Sequence, residues 1–326
     1  MANLINRIRG RVKMTVTDFR NDSRFSVRLA IFHMMDELCS RFGPKTAASY
    51  FSDRKHEWIM DYLREELRDV LDEFAEDRDV GHPQENAPIW VCWWTGEETA
   101  PELVKQCIRS IRANAGTHPV HLITKENYVQ FLSIPEYILE KAEHGKIKNA
   151  HLADYIRVAL LADHGGLWLD STIFCNGPVP DDCFTISFFT CKDKIPSGNY
   201  ISRMQWTTFL LGGWQGNVFF RCLKAAFEAY WTKEESAVNY LFFDCLIALI
   251  RNRVPACGKL LAEVSANNPH RDDLQAAMNN AIPAEAWSSV IQSDTIFYKL
   301  SWRENYRETT QDGQDSIYRY FLNREI

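Results

Sequence analysis

Apolar residues recur at helical spacing at the start of the chain and predict helices there. The spacing predicts one helix over residues 26–41, ending before a Gly-Pro pair, and another over residues 54–76. The second helix carries one apolar stripe, and its acidic opposite face is typical of a solvated surface. Residues 76–87 contain Gly81 and Pro83 and lead into Pro88, a composition typical of a linker. We therefore assign residues 1–86 to a helical N-terminal subdomain and residues 87–326 to a second domain.

After the linker the pattern changes to short apolar runs that alternate with helices. Runs at 88–95 and 118–124 have the composition of buried strands, and they flank a helical pattern at 101–115. A strand–helix–strand unit of this length predicts a parallel sheet with a right-handed crossover. Further along, the patterns predict strands at 184–190 and 295–300, helices at 217–231, 236–251 and 317–322, surface helices within 258–281 and a loop at 284–288.

The most informative stretch is residues 150–174, AHLADYIRVALLADHGGLWLDSTIF. It predicts a largely apolar helix that Gly165 and Gly166 stop, because glycine enters the left-handed cap conformation without a Cβ penalty. The apolar run 167–169 then predicts a strand buried on both faces, and Asp170 ends it. Ligands of open α/β sheets bind at the carboxyl ends of strands. Asp170 is therefore a candidate to hold a divalent cation or to accept hydrogen bonds from sugar hydroxyls.

The same helix carries Asp154 and Arg157, which lie three residues apart and share a face. One interpretation is a surface ion pair, which contributes a few tenths of a kcal/mol. However, this helix is apolar around most of its circumference. We therefore expect the pair to face a cleft.

Composition excludes several classes of protein. The 326-residue chain has a net charge of −6, which argues against general nucleic-acid binding, since that requires a basic surface. Its nine cysteines form no CxxC pair, which favours neither zinc nor disulfides and fits a reducing cytoplasm. The sequence contains no GxGxxG and no GxxxxGK[ST], so the dinucleotide and P-loop classes lack their phosphate-binding glycines. No apolar run approaches the ~20 residues that span a bilayer, and the N-terminus lacks the apolar core of a signal peptide.

The N-terminal segment is basic and amphipathic. Apolar residues at helical spacing alternate with positive charges, and these residues are Leu4, Ile5, Ile8 and Val12 with Arg7, Arg9, Arg11 and Lys13. Three alternatives stay open: an interfacial membrane helix, a frayed terminal helix, or a helix docked on its own protein. The first would put a cytoplasmic protein in peripheral contact with the inner face of the membrane.

The pattern [H/S]-x-x-D-x-x-R, followed after a short stretch by G-G-[L/I]-[W/Y]-[L/I]-D-x-[D/T], resembles the nucleotide-sugar site of family 32 glycosyltransferases. Within that family the chain looks most like the bacterial capsular polysaccharide synthesis proteins, and more distantly it is similar to the large clostridial glucosylating toxins. The likeness spans residues 88–302. It implies a GT-A-like nucleotide-sugar-binding fold, that is, an α/β fold whose mostly parallel sheet is flanked by helices.

The resemblance also implies an activity. It predicts a hexosyltransferase-type enzyme that moves a sugar from a nucleoside-diphosphate sugar donor to a polysaccharide or glycan acceptor. It further implies retention of anomeric configuration, with no protein nucleophile in a settled role, and a place in capsule or surface polysaccharide synthesis.

The resemblance assigns roles to the motif residues. Asp170 would lie beside the ribose, the sugar or a metal ion, while Asp154 and Arg157 would hold sugar hydroxyls. Trp168, in the same motif, counts among the donor-binding residues. An aromatic residue at the end of the first strand lies against the base. Trp93 and Trp94 both match, and we expect one of them in the core and the other facing the ligand.

Later segments complete the expected site. In the family a late loop with Lys, Ser and Trp closes over the diphosphate. Lys299 would neutralise phosphate charge, Ser301 would contact a metal ion or phosphate, and Trp302 would cover the leaving group. On the helix predicted at 236–251, Tyr240 and Asp244 match an acceptor or sugar contact; a plain surface aspartate is the alternative for Asp244.

One position departs from the Asp-x-Asp of the wider family, because Thr172 stands where the second acid would be. Asp170 and Thr172 are the expected ligands of a Mn²⁺ or Mg²⁺ cofactor, and the neutral threonine weakens this part of the resemblance. Asp181, Asp182 or Asp294 would have to compensate. Two other classes stay open. One is a catalytically inactive nucleotide-sugar-binding or scaffolding protein, and the other is a glycosidase, which needs two carboxylates ~5–10 Å apart.

Overall fold

A five-stranded sheet forms the centre of the computed structural model, which describes residues 18–198, 201–282, 290–291 and 294–324. Its strand order is β2-β1-β3-β6-β5, and β4 and β7 form a separate antiparallel pair. β1 pairs in parallel with β2 and β3, whereas β6 is antiparallel to β3 and β5. The strands are β1 Ile89–Cys92, β2 Val120–Ile123, β3 Gly166–Leu169, β4 Ile173–Cys175, β5 Phe188–Thr190, β6 Leu210–Gly213 and β7 Phe297–Lys299.

Helices flank the sheet, so the predicted α/β class with a mostly parallel sheet is confirmed. They are α1 Val27–Phe42, α2 Lys45–Glu66, α3 Arg68–Phe74, α4 Glu102–Asn114, α5 Glu136–Glu143, α6 Asn149–His164, α7 Asp182–Thr185, α8 Val218–Lys233, α9 Phe242–Arg253, α10 Pro255–Glu263, α11 Asp273–Ala277 and α12 Ile317–Asn323.

Two helix predictions were wrong in their bounds. The helix predicted at 54–76 begins earlier than expected, directly after Pro44. A turn at Leu67 divides it into α2 and α3. Proline stops one helix and suits the start of the next, since its fixed φ is compatible with a first turn. The helix predicted from residue 236 begins only at Phe242, after a turn in which the Asn239 side chain accepts the Leu241 N–H at 2.7 Å.

Successive residues of a strand point to opposite faces of the sheet, and each face has its own apolar core. Trp90 and Trp168 lie in the core beneath α2, α3, α6, α8 and α9, while Leu167 and Leu169 lie in the other with α4 and α12. The N-terminal helices thus share the first core with the sheet. A hydrogen bond of 2.6 Å from Tyr62 to Glu234 adds a polar link. The boundary at residue 86 stays a prediction.

The glycine stop after α6 has a different conformation from the expected left-handed cap. Gly165 has φ 65° and ψ −157°, a region that is open essentially to glycine alone. Gly166 also has a positive φ, of 93°. A Cβ atom at Gly165 would collide with the backbone of Gln215, and one at Gly166 with that of Pro88. The sharp turn carries the chain directly from α6 into the buried strand β3.

Two sequence predictions fall outside the described residues: the basic amphipathic segment and the loop at 284–288. In the part of the chain that the structure describes, no helix combines the length and the apolar character that a membrane span requires. The membrane contact therefore stays a prediction.

Candidate active site

The site forms where β3 ends beside α6. Arg157 donates through Nη1 to Asp154 Oδ1 and through Nη2 to Asp170 Oδ1, both at 3.0 Å. Trp168 Nε1 donates to the same Asp170 oxygen at 2.9 Å. The Arg157 side chain is only 6% exposed, and Asp154 and Arg157 both line a cavity. The expectation that this pair faces a cleft is confirmed, and the surface-pair interpretation is wrong.

Arg157 is fixed from several sides. Its guanidinium lies 4.7 Å from the centre of the Trp168 ring and 5.4 Å from that of Phe243, in cation–π contact with both. Both of its terminal nitrogens are engaged by protein carboxylates. In this arrangement Arg157 orients Asp154 and Asp170. The buried Trp168 ring, which is 1% exposed, packs against the guanidinium and holds it in place.

A distant strand supplies the second cation. β4 pairs with β7 so that Ile173 lies opposite Lys299. The Lys299 ammonium donates to Asp170 Oδ2 at 2.9 Å and to Thr172 Oγ1 at 2.7 Å. Burial raises the pKa of the Asp170 carboxyl. Lys299, Arg157 and the Trp168 hydrogen bond outweigh that effect and hold the pKa below its usual range.

The expected cation ligands are therefore occupied by protein donors. Both oxygens of Asp170 and the hydroxyl of Thr172 accept hydrogen bonds from Arg157, Trp168 and Lys299. Within the described ranges, no group of three or more His, Cys, Asp or Glu side chains could hold a metal ion. This set of side chains does not fit a divalent cation, which prefers several free oxygen ligands. The compensating acids are exposed and do not line the cavity; they are Asp181, Asp182 and Asp294.

The cavity above this network, here called the Asp170 cavity, has a volume of about 470 Å³. Its walls include Trp93, Trp94, Asp154, Asp170, Trp302 and Arg303. Trp93 and Trp302 meet edge to face with ring centres 5.9 Å apart. The Asp170 cavity therefore has an aromatic wall on one side and charged residues at its floor.

Both tryptophans of the Trp93–Trp94 pair are half-buried: Trp94 packs against the core that contains Trp90, and Trp93 packs against the other core. Which of them faces the ligand stays a prediction. β1 ends at Cys92, and the chain then turns, with the Gly96 N–H donating to the Trp93 carbonyl at 2.9 Å. Hydrogen bonds to the segment after β2 continue past β1, since the Trp93 N–H donates to the Ile123 carbonyl and the Lys125 N–H donates to the Trp94 carbonyl. Both indoles nevertheless line the Asp170 cavity.

The predicted acceptor contacts also line the cavity. Asp244 Oδ1 accepts a hydrogen bond of 2.9 Å from Trp206 Nε1. Burial raises the pKa of Asp244 to about 6, and the nearby Asp154 carboxylate adds to the rise. Tyr240 lies at the rim and is 71% exposed, although it precedes α9 and does not belong to it. Ser301 does not line the cavity, and its hydroxyl accepts from the Arg303 N–H at 3.3 Å.

Two residues were missed by the sequence analysis. Arg303 lines the cavity, its guanidinium lies 5.3 Å from the Trp302 ring centre, and it forms no ion pair with any other described residue. The sequence signal that could have identified Arg303 is its position directly after Trp302. His151 is buried with its Nδ1 3.5 Å from Asp154 Oδ2, and it occupies the first position of the helix motif.

A larger cavity, of about 770 Å³, lies elsewhere. We call it the helical groove; α2 and α9 contribute to its walls, and its charged residues include Arg54, Asp61, Arg64, Arg203 and Arg251. Trp206 lines this groove and donates to Asp244 of the Asp170 cavity, so one indole separates the two spaces.

The chain was compared with known proteins. A solved structure described as PaToxG Glycosyltransferase aligns with a TM-score of 0.30 and 10% identity, covering 65% of this chain and 91% of that chain. No curated protein matches. The family model described as Capsular polysaccharide synthesis protein matches residues 41–321. The chain therefore belongs to the family of capsular polysaccharide synthesis proteins, as the sequence motif predicts.

Proposed function

We propose that the protein is a glycosyltransferase with a GT-A-like site, which moves a sugar from a nucleoside-diphosphate donor to a polysaccharide or glycan acceptor. One observation carries the proposal. Asp154 and Arg157 of α6, Asp170 after β3 and Lys299 of β7 meet in one hydrogen-bonded network below an aromatic-walled cavity. Membership of a capsular polysaccharide synthesis family supports a role in making surface polysaccharide.

The cavity offers what each part of such a donor needs. The faces of Trp93 and Trp302 suit a nucleotide base, because aromatic rings stack on bases. The carboxylates of Asp154 and Asp170 can accept hydrogen bonds from sugar hydroxyls, and their side chains are 17% and 26% exposed. Arg303, which has no carboxylate partner among the described residues, provides a cation for a diphosphate.

The proposed reaction exchanges one bond to the anomeric carbon for another. The bond between that carbon and the diphosphate oxygen breaks, and its electron pair leaves with the diphosphate. The acceptor hydroxyl oxygen forms the new bond, and its proton passes to the departing diphosphate. Asp244 and Tyr240, in the cavity wall, would contact the acceptor or the sugar. Retention at the anomeric carbon is part of the proposal.

An inactive binding or scaffolding protein is the second candidate, and Thr172 is the observation that favours it. A glycosidase is the third class, because Asp244, in the same cavity as Asp170, has the raised pKa that the acid of such an enzyme needs. Membership of the capsular polysaccharide synthesis family favours transfer over hydrolysis.

Release of nucleoside diphosphate from labelled UDP, GDP and CDP sugars tests the proposal. Each donor is incubated with the protein alone and with capsular oligosaccharides, and the labelled glycan is followed. We expect one nucleotide class to be consumed, and faster with acceptor. A scaffold would bind a donor without consuming any, and a glycosidase would cleave an aryl glycoside and ignore the nucleotide sugars.

A further inference from the structure

The carboxylate of Asp170 and the hydroxyl of Thr172 already share a cation, the Lys299 ammonium. Two hydrogen bonds hold the backbone at and directly after Lys299. The Lys299 N–H donates to the Arg271 carbonyl at 2.7 Å, and the next residue, Leu300, donates to the Thr172 carbonyl at 3.0 Å. The ammonium is therefore positioned by a strand and not by a loose loop.

The charges around Asp170 balance without a metal ion. Arg157 and Lys299 carry two positive charges, and Asp154 and Asp170 carry two negative ones. A divalent ion on Asp170 would have to displace the ammonium and would add positive charge beside a guanidinium that is only 6% exposed. Repulsion between like charges is strong where water is scarce, because little solvent screens it.

Lys299 keeps a hydrogen-bond donor for a substrate. An ammonium has three N–H donors, and those not used by Asp170 and Thr172 make no hydrogen bond within the described residues. The Lys299 side chain does not line the Asp170 cavity, but it is 25% exposed and is bonded to Asp170, which does line it. The Phe209 ring, with its centre 5.2 Å from Nζ, covers the other side of the ammonium and restricts its movement.

We propose that Lys299 takes the role of the divalent cation, so that donor binding and transfer need no metal. The inference rests on the proposed function, because it names the group that offsets the charge of the departing diphosphate. As the bond to the anomeric carbon breaks, the Lys299 N–H donates a hydrogen bond to the diphosphate and keeps its proton. Asp170 and Thr172 hold the ammonium where an Asp-x-Asp pair would hold a metal ion.

Calorimetric titration of Mn²⁺ alone into chelator-treated protein gives a test that needs no activity. We expect no Mn²⁺ binding by the wild type. Lys299→Ala frees the oxygens of Asp170 and Thr172, and we expect it to gain a weak Mn²⁺ site. Tight Mn²⁺ binding by the wild type that is lost in Asp170→Asn would overturn the proposal.

Donor binding and turnover give the second test, with and without chelator. We expect wild-type affinity and rate to change less than ~2-fold between chelator and Mn²⁺. In Lys299→Ala we expect the donor Kd to rise roughly 10- to 100-fold and turnover to fall ~100-fold, with no rescue by Mn²⁺. Lys299→Arg keeps the charge and should retain more activity than Lys299→Ala. This comparison distinguishes loss of the charge from a folding defect in the alanine variant.

Lys224→Ala is the matched control. Lys224 forms a pair of 2.8 Å with Asp163 outside the cavity, so its loss should leave turnover unchanged. Turnover that chelator abolishes and Mn²⁺ restores would overturn the role of Lys299 while leaving the glycosyltransferase intact. A wild type that neither binds nor consumes UDP, GDP or CDP sugars in either condition would overturn the proposed function and this inference with it.

Discussion

The helical groove and the Asp170 cavity are both charged, and they differ in how their charges are held. The helical groove is larger, about 770 Å³ against 470 Å³ for the Asp170 cavity. Its Arg64–Asp61 pair lies on one helix, three residues apart, with side chains 44% and 71% exposed. Arg157 instead bridges two segments and is 6% exposed. Burying charges costs desolvation, so a buried charge network that also lines a cavity marks a functional site better than cavity size alone does.

The largest expected difference between the two cavities concerns their aspartates. Asp170→Asn removes the negative charge between Arg157 and Lys299, and we expect turnover to fall at least ~100-fold. Asp61→Asn, in the helical groove, should stay within ~2-fold because solvent screens its partner. Initial rates of nucleoside diphosphate release measure both. Equal effects of the two substitutions would remove the distinction between the cavities.

The arginines give a matched pair for stability. Arg157→Lys replaces a planar fork that bridges two carboxylates with a point charge, and we expect the free energy of unfolding to fall by about 2–4 kcal/mol. Arg64→Lys should change it by less than about 0.5 kcal/mol. Urea denaturation followed by circular dichroism measures both values. A loss below about 1 kcal/mol in Arg157→Lys would contradict the buried-network account.

Asp244, in the Asp170 cavity, should make stability depend on pH. Burial raises its pKa from 3.8 to about 6, so the folded state binds the proton more tightly than the unfolded state. The contribution of this carboxyl to the free energy of unfolding is therefore largest below about pH 4, and it falls as the pH rises through about 6. Asp244→Asn should remove this slope and exceed the wild type at pH 7 by about 1–2 kcal/mol. Identical slopes in both proteins would argue against a buried carboxyl.

The smallest expected effect concerns the aromatic rim. Trp302→Ala removes the edge-to-face contact with Trp93, and we expect the donor KM to rise about 3- to 10-fold with kcat nearly unchanged. Tyr50→Ala, which breaks a similar edge-to-face contact with Phe51 on α2, is the control and should leave KM unchanged. A change in kcat alone would mean that Trp302 acts on chemistry and not on binding.

The sequence predicted the part of the site that is local in the chain. Asp154, Arg157 and Asp170 lie within one helix–turn–strand unit, and periodicity with the glycine stop positioned them. Lys299 reaches Asp170 across 129 residues through the β4–β7 pairing, for which no local pattern exists. Its role came from a resemblance, and its bond to Thr172 came only with the structure.

Strand β6 shows another limit of the pattern. Its sequence is Leu-Leu-Gly-Gly, and no strand was predicted there. In the sheet these glycines are required by close packing, since a Cβ at Gly213 would lie 2.7 Å from the Ser187 carbonyl oxygen. Tyr240 was likewise predicted to be helical, because the apolar spacing of α9 extends back into the turn in which the Asn239 side chain accepts the Leu241 N–H.

The claim that the Asp170 cavity binds the donor is tested most directly by photo-crosslinking. An azido analogue of the donor nucleotide selected in the transfer assay is bound, irradiated and located by peptide mapping. We expect label on the peptides that contain Trp93, Trp94 and Trp302, and competition by unmodified donor. Label confined to the peptides of the helical groove, around Arg64 and Arg251, would contradict the account.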